Sequence, residues 1–345
     1  MKRNLAIFFI LVFILGGATI LESCRKNDPP LPATGINFIV PPGFPQPTHS
    51  FSSKPLTKEG ILLGRKLFYD GRLSLDGNFP CSSCHNPEAA FTTKDHDRSH
   101  GYNNSHTLRN APGLFNLAWH PFFNQDGSAA SLQAIYAKHI TDPTEMAETI
   151  ASVINKLKAD ATYKAMFKNA FGDEQVSADR MYKAMTQFLV NMVSANSKYD
   201  KVLQGLDVFN PQEQSGYQIF QSKCGSCHQE PLFTDYSFRN VGLEINPALK
   251  DYGLMMVTGR SSDSLKFRVP SLRNLEFTSY YSHDGRFSLP RHMIQHYRFG
   301  VNQSATLDPL LTNGIVLSNQ DENDLVHFLR TLSDSSFLNN PANRD

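Results

Sequence analysis

Cys81-Ser82-Ser83-Cys84-His85 and Cys224-Gly225-Ser226-Cys227-His228 are two copies of C-x-x-C-H. Two thiols one helical turn apart can add to the two vinyl groups of a porphyrin, and the adjoining imidazole is then set beneath the iron. The two copies use every cysteine of the 345-residue chain except Cys24. A zinc ribbon also uses two C-x2-C pairs, but a His after both pairs and a separation far beyond ribbon spacing argue against it. A thioredoxin-like redox pair wants a βαβ setting that this sequence does not suggest, and a disulfide closing so short a loop would stabilise little. The chemistry that remains is covalent attachment of two c-type haems through Cys81, Cys84, Cys224 and Cys227, with His85 and His228 as proximal iron ligands.

The two motifs share flanks, which implies two similar units to hold them. Gly64-Arg65-Lys66-Leu67-Phe68 precedes the first and Gly216-Tyr217-Gln218-Ile219-Phe220 the second, and Phe91-Thr92 and Phe233-Thr234 follow. The repeat carries an insertion, residues 69–80, in its first copy. Helical signals dominate elsewhere. Ser177-Ala178-Asp179-Arg180 opens a run over 181–193 whose apolar residues recur on one helical face. Residues 148–170 read as one or two helices closed by Gly172, and 323–332 as a terminal helix after a cap region at 318–321. Residues 95–121 and 230–284 lack a long period and are rich in aromatics, as expected of extended segments wrapped around haem faces. The expectation is a mainly α chain of two cytochrome c-like haem domains with extended loops, residues 50–205 and 206–345.

A 40% hydrophobic, 19% charged chain is too apolar for disorder, and a net charge of +1 without a Lys/Arg block speaks against nucleic acid. Met1-Lys2-Arg3-Asn4 followed by the apolar run 5–21 describes a signal peptide, residues 1–23. Leu21-Glu22-Ser23-Cys24 resembles a bacterial lipobox, although Glu22 is unusual there. Cys24 is then the acylated mature N-terminus, and the proline-rich residues 24–49 are a tether from the membrane. The expected location is the periplasm.

In order and separation, several further segments resemble the bacterial dihaem cytochrome c peroxidase family, including its MauG-like branch. They are Arg109-Asn110-Ala111-Pro112, Phe115-Asn116, Asp126-Gly127, Glu145-Met146, Val269-Pro270-Ser271-Leu272-Arg273-Asn274 and His283-Asp284-Gly285. The resemblance implies a peroxidatic N-terminal haem and an electron-transferring C-terminal haem. Splitting an O–O bond takes two electrons and a proton carrier, which is why two irons and a distal acid belong together. The family's motif places that acid/base at Glu145, although Asp142-Pro143-Thr144-Glu145 also reads as a helix start. It places the distal ligand of the C-terminal haem at Tyr297, with Met293 as competitor one turn earlier. It also implies a calcium ion between the haems, held by Asn110 and the carbonyls of Thr278 and Tyr280.

Three positions depart from the family's pattern. Ile135 replaces a Gln that donates a distal hydrogen bond, so orientation of peroxide would rest on Glu145. Tyr102 stands where a His often caps the N-terminal haem, which leaves that haem open at rest unless His100 or His106 substitutes. Gln125 replaces the interhaem Trp, with Trp119 as the only indole available. The implied function is reduction of hydrogen peroxide to water with electrons from a small cytochrome c or cupredoxin. The alternatives are a MauG-like oxidase of a protein or organic donor and a non-catalytic dihaem electron carrier. A homodimer is compatible with each.

Overall fold

The computed structural model describes residues 35–345. The signal segment, Cys24 and the first part of the tether lie outside the described residues. The helices are α1 (Lys58–Phe68), α2 (Cys81–Cys84), α3 (Leu132–Thr141), α4 (Ile150–Ala159), α5 (Ala161–Phe171), α6 (Ala178–Val190), α7 (Lys198–Leu203), α8 (Pro211–Lys223), α9 (Met255–Thr258), α10 (Pro290–Gln295), α11 (Asn319–Arg330) and α12 (Ser335–Leu338). Strand is confined to two antiparallel pairs, β1 (Gly35–Ile36) with β2 (Leu56–Thr57) and β3 (Phe238–Arg239) with β4 (Phe267–Arg268). The mainly α class expected from the sequence is what the chain adopts, and among the described residues no helix is long and apolar enough to cross a membrane.

Local signals explain the helix ends. Ser177 caps α6 by accepting from Arg180 N, and the face carrying Met181, Met185 and Phe188 is buried. The region 148–170 divides in two because Asp160 ends α4 and caps α5, accepting from Thr162 N at 2.7 Å. Gly172 closes α5 at φ +92°, a conformation that favours glycine. The terminal helix α11 begins four residues before the expected start, because Ser318 and Asp321 form a reciprocal capping box.

The internal repeat is visible as two helix crossings. Gly64 of α1 lies against the Ala184 carbonyl and Phe188 of α6, and Gly216 of α8 lies against the Asp324 carbonyl and Phe328 of α11. A Cβ at either glycine would collide with that backbone. Buried Asn116 and Asn274, both in the left-handed region, repeat each other as well. Asn116 N donates to Met192 O (2.9 Å) and Asn274 N to Leu332 O (3.1 Å), so each ties a haem-side loop to the chain just beyond its long helix. The buried apolar residues form two clusters, one centred on α1, α5 and α6 and one on α8 and α11. The described end of the tether packs on the first, with Phe38 and Phe44 against Trp119 and Thr48 Oγ1 donating to Ala118 O (3.1 Å).

Candidate functional site

Each C-x-x-C-H motif closes one turn of backbone. His85 N donates to Cys81 O (2.9 Å), and His228 N donates to Cys224 O (3.0 Å). The rings are held alike: His85 Nδ1 meets Phe91 O (2.9 Å) and Pro112 O (3.1 Å), and His228 Nδ1 meets Phe233 O (3.1 Å). A carbonyl at Nδ1 makes that nitrogen the donor and leaves the Nε2 lone pair for a metal. Burial pushes His85 down to about 4, against the Phe91 carbonyl that favours its charged form, and burial lowers His228 too. Both imidazoles are therefore neutral at physiological pH, as an iron ligand must be. Burial pushes the Cys81 thiol up to about 12, Cys84 to about 11 and Cys224 to about 12. Among the described residues no group of three or more His, Cys, Asp or Glu forms a metal cluster.

Near the first motif lies Glu145, whose charge acts on His85 and Cys81. It sits in a turn after α3, which corrects the reading of 142–145 as a helix start. Asp142 ends α3, its side chain accepts from Thr144 N (2.9 Å), and the next helix begins only at Ile150. The Glu145 carboxylate is hydrogen-bonded to His139 Nδ1, and the charges of both residues act on His85. His139 lies one turn beyond Ile135 on α3 and belongs to no motif, so spacing alone did not reveal it. The loop carrying Tyr102 is tied to the same turn, since Tyr102 N donates to Glu145 O (2.7 Å). In that loop the His100 ring lies between those of His96 and His106, tilted to both, with ring centroids 4.3 Å apart on each side.

The second motif opens onto a cavity of about 630 Å³, within the range of roughly 300–1,000 Å³ usual for cofactor pockets. Cys224, Cys227, His228, Met293 and Tyr297 line it. Tyr297 lies on a single π-turn, His296–Gly300, that continues α10, a distortion frequent at functional sites. Its backbone is pinned by Ile315 N donating to Tyr297 O (2.8 Å). Burial raises the Tyr297 phenol, and so do the nearby sulfurs of Cys224 and Cys227, which places the ring beside the attachment site. The proposed calcium positions Asn110, Thr278 and Tyr280 line the same cavity. Trp119 does not: it lies in the first core with Nε1 donating to Pro45 O (2.7 Å).

The cavity wall also suits an acidic cofactor. Arg268 is buried, and its Nε donates to Asn124 O (3.3 Å), yet among the described residues no carboxylate pairs with it. Arg273, which is also buried, pairs with Asp200, and half-buried Arg109 pairs with Asp126 and Asp251. His120 Nδ1 and Gln125 Oε1, on the same wall, are buried without hydrogen-bond partners. Buried charges are ordinarily compensated, and haem propionates would compensate this one.

Comparison with known proteins agrees with this geometry. Residues 58–208 match the family model described as di-haem cytochrome c peroxidase. The methylamine utilization protein MauG of Methylorubrum extorquens is 32% identical over 323 residues, covering 92% of this chain and 88% of that protein. The cytochrome c551 peroxidase of Nitrosomonas europaea is 36% identical over 230 residues, covering 65% and 68%. A crystal structure of a MauG-like protein associated with microbial copper homeostasis superposes with a TM-score of 0.83 at 31% identity, over 90% of this chain and 99% of that one. The diheme peroxidase BthA of Burkholderia thailandensis E264 shares the fold, with a TM-score of 0.71 at 22% identity over 91% and 98%.

Proposed function

Because the chain belongs to the dihaem cytochrome c peroxidase and MauG family, an oxidoreductase family of two c-type haems, we propose that it reduces hydrogen peroxide to water at its N-terminal haem centre, with electrons from a small cytochrome c or cupredoxin. The observation that carries this reading is the carboxylate of Glu145, hydrogen-bonded to the His139 imidazole, with the charges of both residues acting on His85. When bound, the haems supply an iron that takes up peroxide and a second iron that relays or stores charge. The chain supplies the rest. Cys81 and Cys84, and Cys224 and Cys227, hold the two cofactors, while carbonyls at Nδ1 fix His85 and His228 in the ligating tautomer. Glu145 takes a proton from one peroxide oxygen and returns it to the other, the step a distal general acid/base performs. Ile135 offers no hydrogen bond to peroxide. Arg268 would hold propionate charge, Tyr297 or its competitor Met293 would ligate the C-terminal iron, and Asn110, Thr278 and Tyr280 would hold calcium. Export to the periplasm with an acyl anchor at Cys24 completes the proposal.

A second reading, a MauG-like oxidase of a protein or organic donor, is favoured by Tyr297. A phenolate is a hard anionic donor and stabilises ferric over ferrous iron, which suits an iron that shares oxidation more than one pre-reduced by a cytochrome. The test is peroxide-dependent oxidation of reduced c-type cytochromes and cupredoxins by the dihaem protein. Turnover that falls about 100-fold or more in Glu145→Gln supports the peroxidase. Peroxide consumption without turnover of any redox-protein donor moves the assignment to the oxidase, and no reaction with peroxide leaves an electron carrier.

A further inference from the structure

We propose that His139 is a positioning residue that connects Glu145 to solvent as a proton relay. The inference deepens the peroxidase reading and rests on it. α3 carries Ile135 and His139 on one face, one turn apart, so the helix that places no donor at its middle turn presents an imidazole in its last. Backbone bonds hold the ring and the carboxylate together. Glu145 N donates to Asp142 O (3.0 Å), Met146 N to His139 O (3.3 Å) and Glu148 N to Ile140 O (2.8 Å), folding the turn back on the end of α3. The resulting contact joins His139 Nδ1 to Glu145 Oε2.

Exposure gives the pair a direction. The Glu145 side chain is 21% accessible and that of His139 is 35%, so the imidazole is the more accessible member of the pair. Both act on His85, and Glu145 acts on Cys81, so both belong to the pocket of the first motif. Reduction of one hydrogen peroxide to two waters consumes two electrons and two protons. The small redox protein provides the electrons, and the protons must come from solvent. His139 takes a proton at Nε2 and gives one up from Nδ1 to Glu145 Oε2, which restores the acid after each transfer to oxygen. An imidazole is suited to this because its two nitrogens accept and release on opposite sides of the ring.

Two assays on the dihaem protein test the relay. In the first, His139→Ala lowers kcat for peroxide about 100-fold with KM little changed, and turnover becomes dependent on the concentration of a non-coordinating buffer such as MES, to which the unaltered protein is indifferent. His139→Gln, which keeps a hydrogen bond to Glu145 without carrying a proton through, is as slow as His139→Ala. The second assay needs no donor and no turnover. Hydrogen cyanide must lose a proton to bind ferric iron, so its association rate, followed in the Soret band, falls about tenfold in both variants and is restored by buffer in His139→Ala. Rates within twofold of the unaltered protein in both assays, or slow rates that buffer leaves untouched, overturn the relay. If the unaltered protein turns over peroxide with no donor, the peroxidase reading fails, and the cyanide rates still decide the role of His139.

Discussion

Tyr297 and Met293, one turn apart, both line the cavity beside the second motif and are the two proposed ligands of the C-terminal iron. Burial raises the Tyr297 phenol, as do the nearby sulfurs of Cys224 and Cys227, and its carbonyl is pinned by Ile315. Axial ligands set haem potentials over about 0.8 V, so Tyr297→Met is expected to raise the midpoint potential of that haem by on the order of 0.1 V or more. Spectroelectrochemical titration checks this, with Met293→Leu expected to leave both the potential and the spectrum unchanged; a shift in that variant would make Met293 the ligand. The two C-x-x-C-H motifs were legible in the sequence because thiol addition demands only a local spacing, which the letters display. His139 was not, because its partner is six positions away across a turn whose path depends on Asp142 and not on any periodicity.

Between elements, the repeat is held by contacts that only glycine allows. Gly64→Ala and Gly216→Ala each press a methyl onto a backbone carbonyl, of Ala184 and of Asp324, which cannot swing away as a side chain can. Each is expected to cost about 1–3 kcal/mol, read as a lower denaturant midpoint, whereas Gly35→Ala, with nothing within 4 Å, should be neutral. The matching flanks Gly64 and Gly216 suggested two similar units from sequence. Asn116 and Asn274 stand in the family-like segments, but their shared role as clamps went unread, because it shows only in the hydrogen bonds they make.

For the whole molecule, buried ion pairs bind distant segments to one another. Arg273, 1% exposed, donates to both oxygens of Asp200 on α7 (2.9 and 2.7 Å) and to Pro231 O (2.8 Å), and lies over the ring of Phe44. Burial alone would raise the Asp200 carboxyl, but Arg273 and Ser197 hold it below the usual carboxylate range. The unfolded chain therefore binds this proton at higher pH than the folded one. The pair's stabilisation is present in full above the ordinary Asp value, about 3.9, and is lost as the pH falls below it. Asp200→Asn strands the Arg273 charge and is expected to cost about 3–5 kcal/mol near neutral pH, with a flatter acid limb in thermal melts between about pH 6 and 2.

The sequence by itself determined the two C-x-x-C-H motifs, the mainly α class and the doubling of the unit, because each depends on residues close together along the chain. The stop at Gly172 was legible for the same reason, since caps act over a single turn, whereas whether 148–170 is one helix or two was settled by the break at Asp160 in the structure. Only the tertiary structure decided that Glu145 lies in a turn beside His139, that Trp119 belongs to a core and not to the cavity, and that Arg268 stands buried with no carboxylate partner among the described residues. Those facts concern which remote side chains share a low-dielectric space, and the energy of a buried charge or hydrogen bond is set by that company.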